Sequence, residues 1–150
     1  MREPVAREQV QTSAGTEAAF VFPARRGRIR LALTPTRVVA TSLAGTVELP
    51  WKAFAGAEIA PLPGGRSDTP VLGLTAHRPG AAVWTRGGWL GRLNRRATPY
   101  EVSFKADAFA AEGEDILRAI KRYQGNARRR SAIGSEQEHA RLLGEQSARA

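Results

Sequence analysis

Residues 28–62 read RIRLALTPTRVVATSLAGTVELPWKAFAGAEIAPL, and the alternation inside this stretch decides the fold class. Ile29, Leu31 and Leu33 alternate with Arg28, Arg30 and Ala32, the period of two of a strand with one buried and one wet face. Thr34-Pro35-Thr36-Arg37 supplies a turn, because proline presets φ for the first central position. A β-branched run over 37–43 breaks at Ala44-Gly45 and resumes at Thr46-Val47-Glu48-Leu49, which predicts a second hairpin. Trp51 and Phe54 stand three apart in the next corner, so one helical turn there points both rings inward. Ala57–Leu62 is a further strand with Pro61 near its end.

Outward from this stretch the pattern repeats. Ala18–Phe22 is a first strand ended by Pro23, and 71–75 with 81–85 flank a His77-Arg78-Pro79-Gly80 turn. Tyr100, Val102 and Phe104 alternate toward the core. Helical spacing then takes over: Ile116, Leu117, Ile120 and Tyr123 form one apolar stripe. Glu112, Glu114 and Asp115 near its start and Lys121 and Arg122 near its end complement the helix dipole. Asn126 caps a short helix, and Ser135 with Glu138 forms a capping box for a last helix over 136–149.

The fold class expected is mainly β: an antiparallel barrel or sandwich of seven or eight strands with a helix over 110–124 capping one end. Residues 1–17 read as a flexible arm, 18–124 as the domain and 125–150 as a helical extension. At 150 residues there is enough chain for one core. The absence of cysteine excludes disulfides and thiolate metal sites. His77 and His139 have no partner at ligand spacing, and no glycine loop has the lysine of a nucleotide cradle. No serine sits in a nucleophile elbow, and the helix-start acids serve the dipole. The expectation is a chain that is not an enzyme and carries no metal or organic cofactor. A charged N-terminal stretch and the lack of any run of about 20 apolar residues point to the cytoplasm.

The net charge of +9 is unevenly spread. Residues 18–47 hold five arginines and no acid, and 69–100 hold another five and no acid. Such segments fit an anionic partner. Strict up-and-down alternation would bring the connections at 23–27, 44–45, 63–70 and 86–99 to one end, opposite the start of the helix. That end would then gather Arg25, Arg26, Arg28, Arg66, Arg86, Arg92, Arg95 and Arg96, with Trp89 as an interfacial anchor. In the competing reading, Trp89, Leu90 and Leu93 cap the core edge and the arginines are solvated. Arg128-Arg129-Arg130 reads as a solvated helix face.

The strand–turn–strand RIRLALTPTRVVATSL, the ELPW corner with Ile59 downstream, and YEVSF leading into DAFAAEGEDILRAIKRY resemble bacterial pleckstrin-homology-like (PH-like) domains, especially soluble actinobacterial ones. The resemblance spans about 18–124 and rests on Trp51, Tyr100, Phe109 and Tyr123 among others. It implies a bent seven-stranded sandwich with a C-terminal helix plugging one open end. It also implies binding or scaffolding rather than catalysis, through loops at the end where the arginines gather. The expected function is therefore a binding module whose basic end meets an anionic membrane surface, peripheral to the inner face, or an acidic protein. The alternative is a small basic barrel binding nucleic acid, for which no row of strand aromatics is available.

Overall fold

The computed structural model describes residues 3–42, 45–61, 70–78, 80–87 and 100–148. Nine strands and three helices occur among them. The strands are β1 (Ala6–Thr12), β2 (Gly15–Pro23), β3 (Arg30–Leu33), β4 (Arg37–Ser42), β5 (Gly45–Pro50), β6 (Phe54–Ala60), β7 (Val71–Ala76), β8 (Val83–Gly87) and β9 (Val102–Lys105). The helices are α1 (Gly113–Gln124), α2 (Ala127–Arg130) and α3 (Glu136–Ser147). All strand pairs are antiparallel, in a six-stranded sheet ordered β1-β2-β3-β4-β5-β8 and a three-stranded sheet ordered β6-β7-β9. The fold is mainly β, and the sheets do not close into a barrel.

The organising stretch forms as its alternation dictates. Leu31, Leu33, Val38, Ala40, Val47 and Leu49 line one face of the large sheet and share a core with Leu72, Leu74, Val102 and Phe104 of the small one. The turn after β3 is made by Thr34, whose fully buried hydroxyl accepts from Thr36 N (3.2 Å) and Arg37 N (2.9 Å). Proline presets the path, but the threonine side chain closes it. Trp51 begins a 3-10 turn, donates from Nε1 to Thr34 O at 2.7 Å and meets Phe54 edge-on at 5.6 Å.

Four expectations are corrected. Residues 6–12 of the supposed arm are β1, paired with β2 from Ala6↔Val21 to Thr12↔Gly15, and Val5 is fully buried. The second face of the large sheet is not wet throughout: Ala19, Val21, Ala32 and Val39 are buried there, with Val10 of β1 against them. The cause is curl. Ser13, in the β1–β2 turn, donates from its backbone to Glu48 of β5 at 3.0 Å, although three strands lie between β1 and β5 in the sheet order.

The third correction concerns α1, which lies along β6 rather than across an end. Its first residue, Gly113, packs on Ile59, and its last, Gln124, donates to Ala55 O at 2.8 Å where β6 shifts register. Ile116, Ile120 and Tyr123 are buried and Leu117 packs against the same core at partial exposure. The fourth is that the segment after 125 is part of this core through Ile133 and Leu142. His139 Nε2 hydrogen-bonds Val5 O at 3.0 Å, and Arg7 Nε donates to Gly134 O at 2.9 Å. The caps at Asn126 and Ser135 form, accepting from Arg129 N (3.1 Å) and Glu138 N (3.2 Å). Only half the expected capping box is made, because the Glu138 carboxylate accepts instead from the Tyr123 hydroxyl at 2.9 Å.

Candidate functional site at the basic turn

The strand registers define one row across the large sheet: Pro23↔Arg30, Arg30↔Thr41, Thr41↔Thr46 and Thr46↔Arg86. The turn after β2, the start of β5 and the end of β8 therefore share one end of the molecule, as alternation predicts. Arg25, Arg26 and Arg28 lie on that turn, and the backbone of Arg86 lies in the same row. Arg66, Trp89, Arg92, Arg95 and Arg96 fall outside the described residues.

The basic turn is held on both sides. Ala24 N donates to Ile29 O at 3.0 Å, closing it, and Gly27 at φ +82° takes the left-handed conformation that glycine adopts without strain. Ala24 bridges Phe109, Arg25 N donates to Ala108 O at 2.9 Å, and Ala110 N donates to Pro23 O at 2.9 Å. The Arg25 side chain is itself committed, with Nε donating to Phe109 O at 2.9 Å. Arg26 and Arg28 are exposed and have no carboxylate partner among the described residues. Arg30 meets Glu8 at 3.1 Å, an ion pair with both side chains over two-fifths exposed and so of little energetic weight. Arg28, Arg30, Thr41, Thr46 and Glu8 line a groove of about 500 Å³ beside the turn.

The expectation that the helix starts at the far end is overturned. Lys105 of β9 pairs with Val71, Val71 pairs with Ala60, and Phe109 bridges Ala24. The segment leading into α1 is thus at the same end as the arginine turn. Alternation fails between β8 and β9, which both run toward this end. Asp107, Glu112 and Glu114 consequently sit beside Arg25, around a cavity of about 480 Å³ floored by Ile59, Ala106 and Ala111. Among the described residues, Arg26 and Arg28 stand as unpaired cations at this end, on the turn itself.

The opposite end carries cations that the sequence reading set aside. His77 N donates to Ala53 O at 2.9 Å, joining the β7–β8 turn to the Trp51 corner. The Arg130 guanidinium lies 5.7 Å over the Trp51 ring and donates to Tyr123 O and Gln124 O at 3.2 and 3.1 Å. It caps the end of α1 and is not simply solvated. Lys52, Arg78, Lys121, Arg128 and Arg129 surround this junction, the first four exposed. None of the five has a carboxylate partner among the described residues.

Two phenols are bound to carboxylates. Tyr100 donates to Glu58 at 2.6 Å, and that hydrogen bond, with burial second, pushes its pKa up to about 12. Burial, and then the hydrogen bond to Glu138, pushes the Tyr123 phenol up as well. Among the described residues no three of His, Asp and Glu form a set able to hold a metal ion. His139 instead stacks on Phe20 at 6.0 Å. No helix among the described residues is long and apolar enough to cross a membrane. No protein-family model, curated protein or solved structure matches the chain.

Proposed function

We propose that this chain is a non-enzymatic PH-like binding module whose basic turn contacts the anionic headgroup layer of a membrane, at its cytoplasmic face. One observation carries the reading: Arg26 and Arg28 stand exposed and, among the described residues, without carboxylate partners on a turn fixed by hydrogen bonds to both its own strand ends and the 108–110 segment. A rigid turn loses little conformational freedom when it docks, so more of the electrostatic attraction survives as affinity. Each cation at an acidic membrane surface contributes about 1 kcal/mol. Two to four such groups give weak, salt-sensitive attachment. Arg30 joins them when the exposed Glu8 pair opens.

The reading is tested by sedimenting the protein with phosphatidylserine-containing and with pure phosphatidylcholine vesicles, across a salt series. Binding only to the acidic vesicles, lost on Arg26→Glu with Arg28→Glu at unchanged melting temperature, is the expected result. Equal binding by that variant would remove the turn from the contact. A single-stranded DNA shift run in parallel, if it alone were positive, would replace the membrane with nucleic acid.

A further inference from the structure

The second group of cations stands at the other end of the strands. The Trp51 corner, the β7–β8 turn and the α1–α2 corner meet there and carry Lys52, Arg78, Lys121 and Arg128 exposed, with Arg129 half-buried. Two carboxylates close to this junction are turned inward. Glu101 is 6% exposed and accepts from Gly80 N at 3.1 Å, while Glu138 is 8% exposed and accepts from Tyr123. Arg130, pinned over Trp51 and on the last carbonyls of α1, fixes the corner that displays Arg128 and Arg129.

α1 spans the distance between the two cationic ends, from Gly113 beside Ile59 to Gln124 at Ala55. Twelve helical residues at about 1.5 Å each separate them by about 18 Å. That is over twice the Debye length of roughly 8 Å at physiological salt. The two ends therefore act as independent cationic sites at opposite ends of the strands.

We propose that the chain is bipolar: with its Arg26–Arg28 turn on one anionic bilayer, the Lys52–Lys121–Arg128 end engages a second one, so the protein tethers acidic membranes. The inference rests on the membrane reading of the basic turn. A lipid headgroup layer is favoured over single-stranded nucleic acid because Trp51 is buried under Arg130 and offers no ring for base stacking.

Clustering of phosphatidylserine–phosphatidylcholine vesicles, followed by turbidity and dynamic light scattering at low salt, tests it beside sedimentation of the same mixtures. Wild-type protein should sediment with the vesicles and cluster them. Lys52→Glu with Lys121→Glu and Arg128→Glu should still sediment but lose clustering by at least about tenfold, since three surface cations are reversed. All three are exposed, so an unchanged thermal melt is the folding control. Sedimentation without clustering by wild type, or undiminished clustering by the triple variant, overturns the tether and leaves the membrane reading standing. Failure of wild type to sediment at all defeats both. Loss of a duplex DNA shift in the triple variant, with no wild-type clustering, would reassign this end to nucleic acid.

Discussion

Arg37 and Glu48 form an ion pair, Nη1 to Oε1 at 2.8 Å, between side chains only 15% and 3% exposed. The pair does not stand alone. Glu48 also accepts from the Ser13 backbone N–H and hydroxyl, and Arg37 reaches Ser13 Oγ at 2.8 Å and Glu17 at 3.6 Å. Thr12 and Thr36 donate to the two oxygens of Glu17 at 2.8 and 2.7 Å. Every member of this network is partnered, which makes the burial of its charges tolerable. It is what clips the tip of the β1–β2 hairpin onto β4 and β5.

Breaking that pair one side at a time should be costly. Arg37→Met leaves the Glu48 carboxylate buried without its cation and should destabilise by about 3–5 kcal/mol in urea titrations. Adding Glu48→Leu to that variant should restore part of the loss, because both charges are then gone. A double variant no more stable than the single one would mean that the hydrogen bonds to Ser13 matter more than the charge.

The chain has two tyrosines, and both are held protonated beyond their ordinary range. Native protein should therefore show almost no phenolate absorbance at pH 10, where the denatured chain is half ionised. Tyr100 should ionise near pH 12. A native pKa above the unfolded one means that the stabilisation is complete below pH 10. It is lost as pH rises from about 10 to about 12. Alkaline melting curves should fall through that window, and Tyr100→Phe should flatten part of the fall.

Gly73 is predicted to tolerate no side chain. A methyl group there would overlap the ring of Tyr100, which lies directly on the glycine in the middle of β7. Gly73→Ala must push the ring away and stretch its bond to Glu58, at a cost of about 1–3 kcal/mol. Phenol titration gives an independent reading, because the displaced Tyr100 should ionise closer to pH 10.

Leu142 tests whether the third helix is integral. It is 3% exposed and belongs to the same core as Phe20 and Ile120. Leu142→Ala should cost about 2–4 kcal/mol by chemical denaturation. A change under about 0.5 kcal/mol would place α3 outside the cooperative unit.

Much of the central sheet was legible because its strands bury one face each, so Leu31, Leu33, Val47 and Leu49 wrote the period of two directly into the chain. β1 was not legible. AREQVQT has only Ala6 and Val10 as apolar side chains on an edge strand, and its strand state comes from pairing with β2, which no local pattern records. The helical stripe of α1 was readable from Ile116, Ile120 and Tyr123, but the element it would cover was not. Its place along β6 depends on the register shift that frees Ala55 O for Gln124. The basic turn is legible from acid-free spacing, whereas Arg128-Arg129-Arg130, followed by acids, reads as a solvated face, and the contact of Arg130 with Trp51 joins residues about eighty apart in sequence. Arg37 and Glu48 are the same kind of miss: a charge pair is invisible until the strands that carry it are aligned.

The bond between His139 and Val5 fixes an order of events in synthesis. The β1–β2 hairpin pairs only neighbouring residues, 6–23, so its contacts are the first to become available. Its buried Phe20, however, rests against Tyr123 at 6.3 Å and His139 at 6.0 Å, both about a hundred or more residues later in the chain. Until those residues are made, the aromatic face of that hairpin has nothing to cover it. That interval exposes the strand pair to misassociation and to chaperones that recognise bare apolar surface.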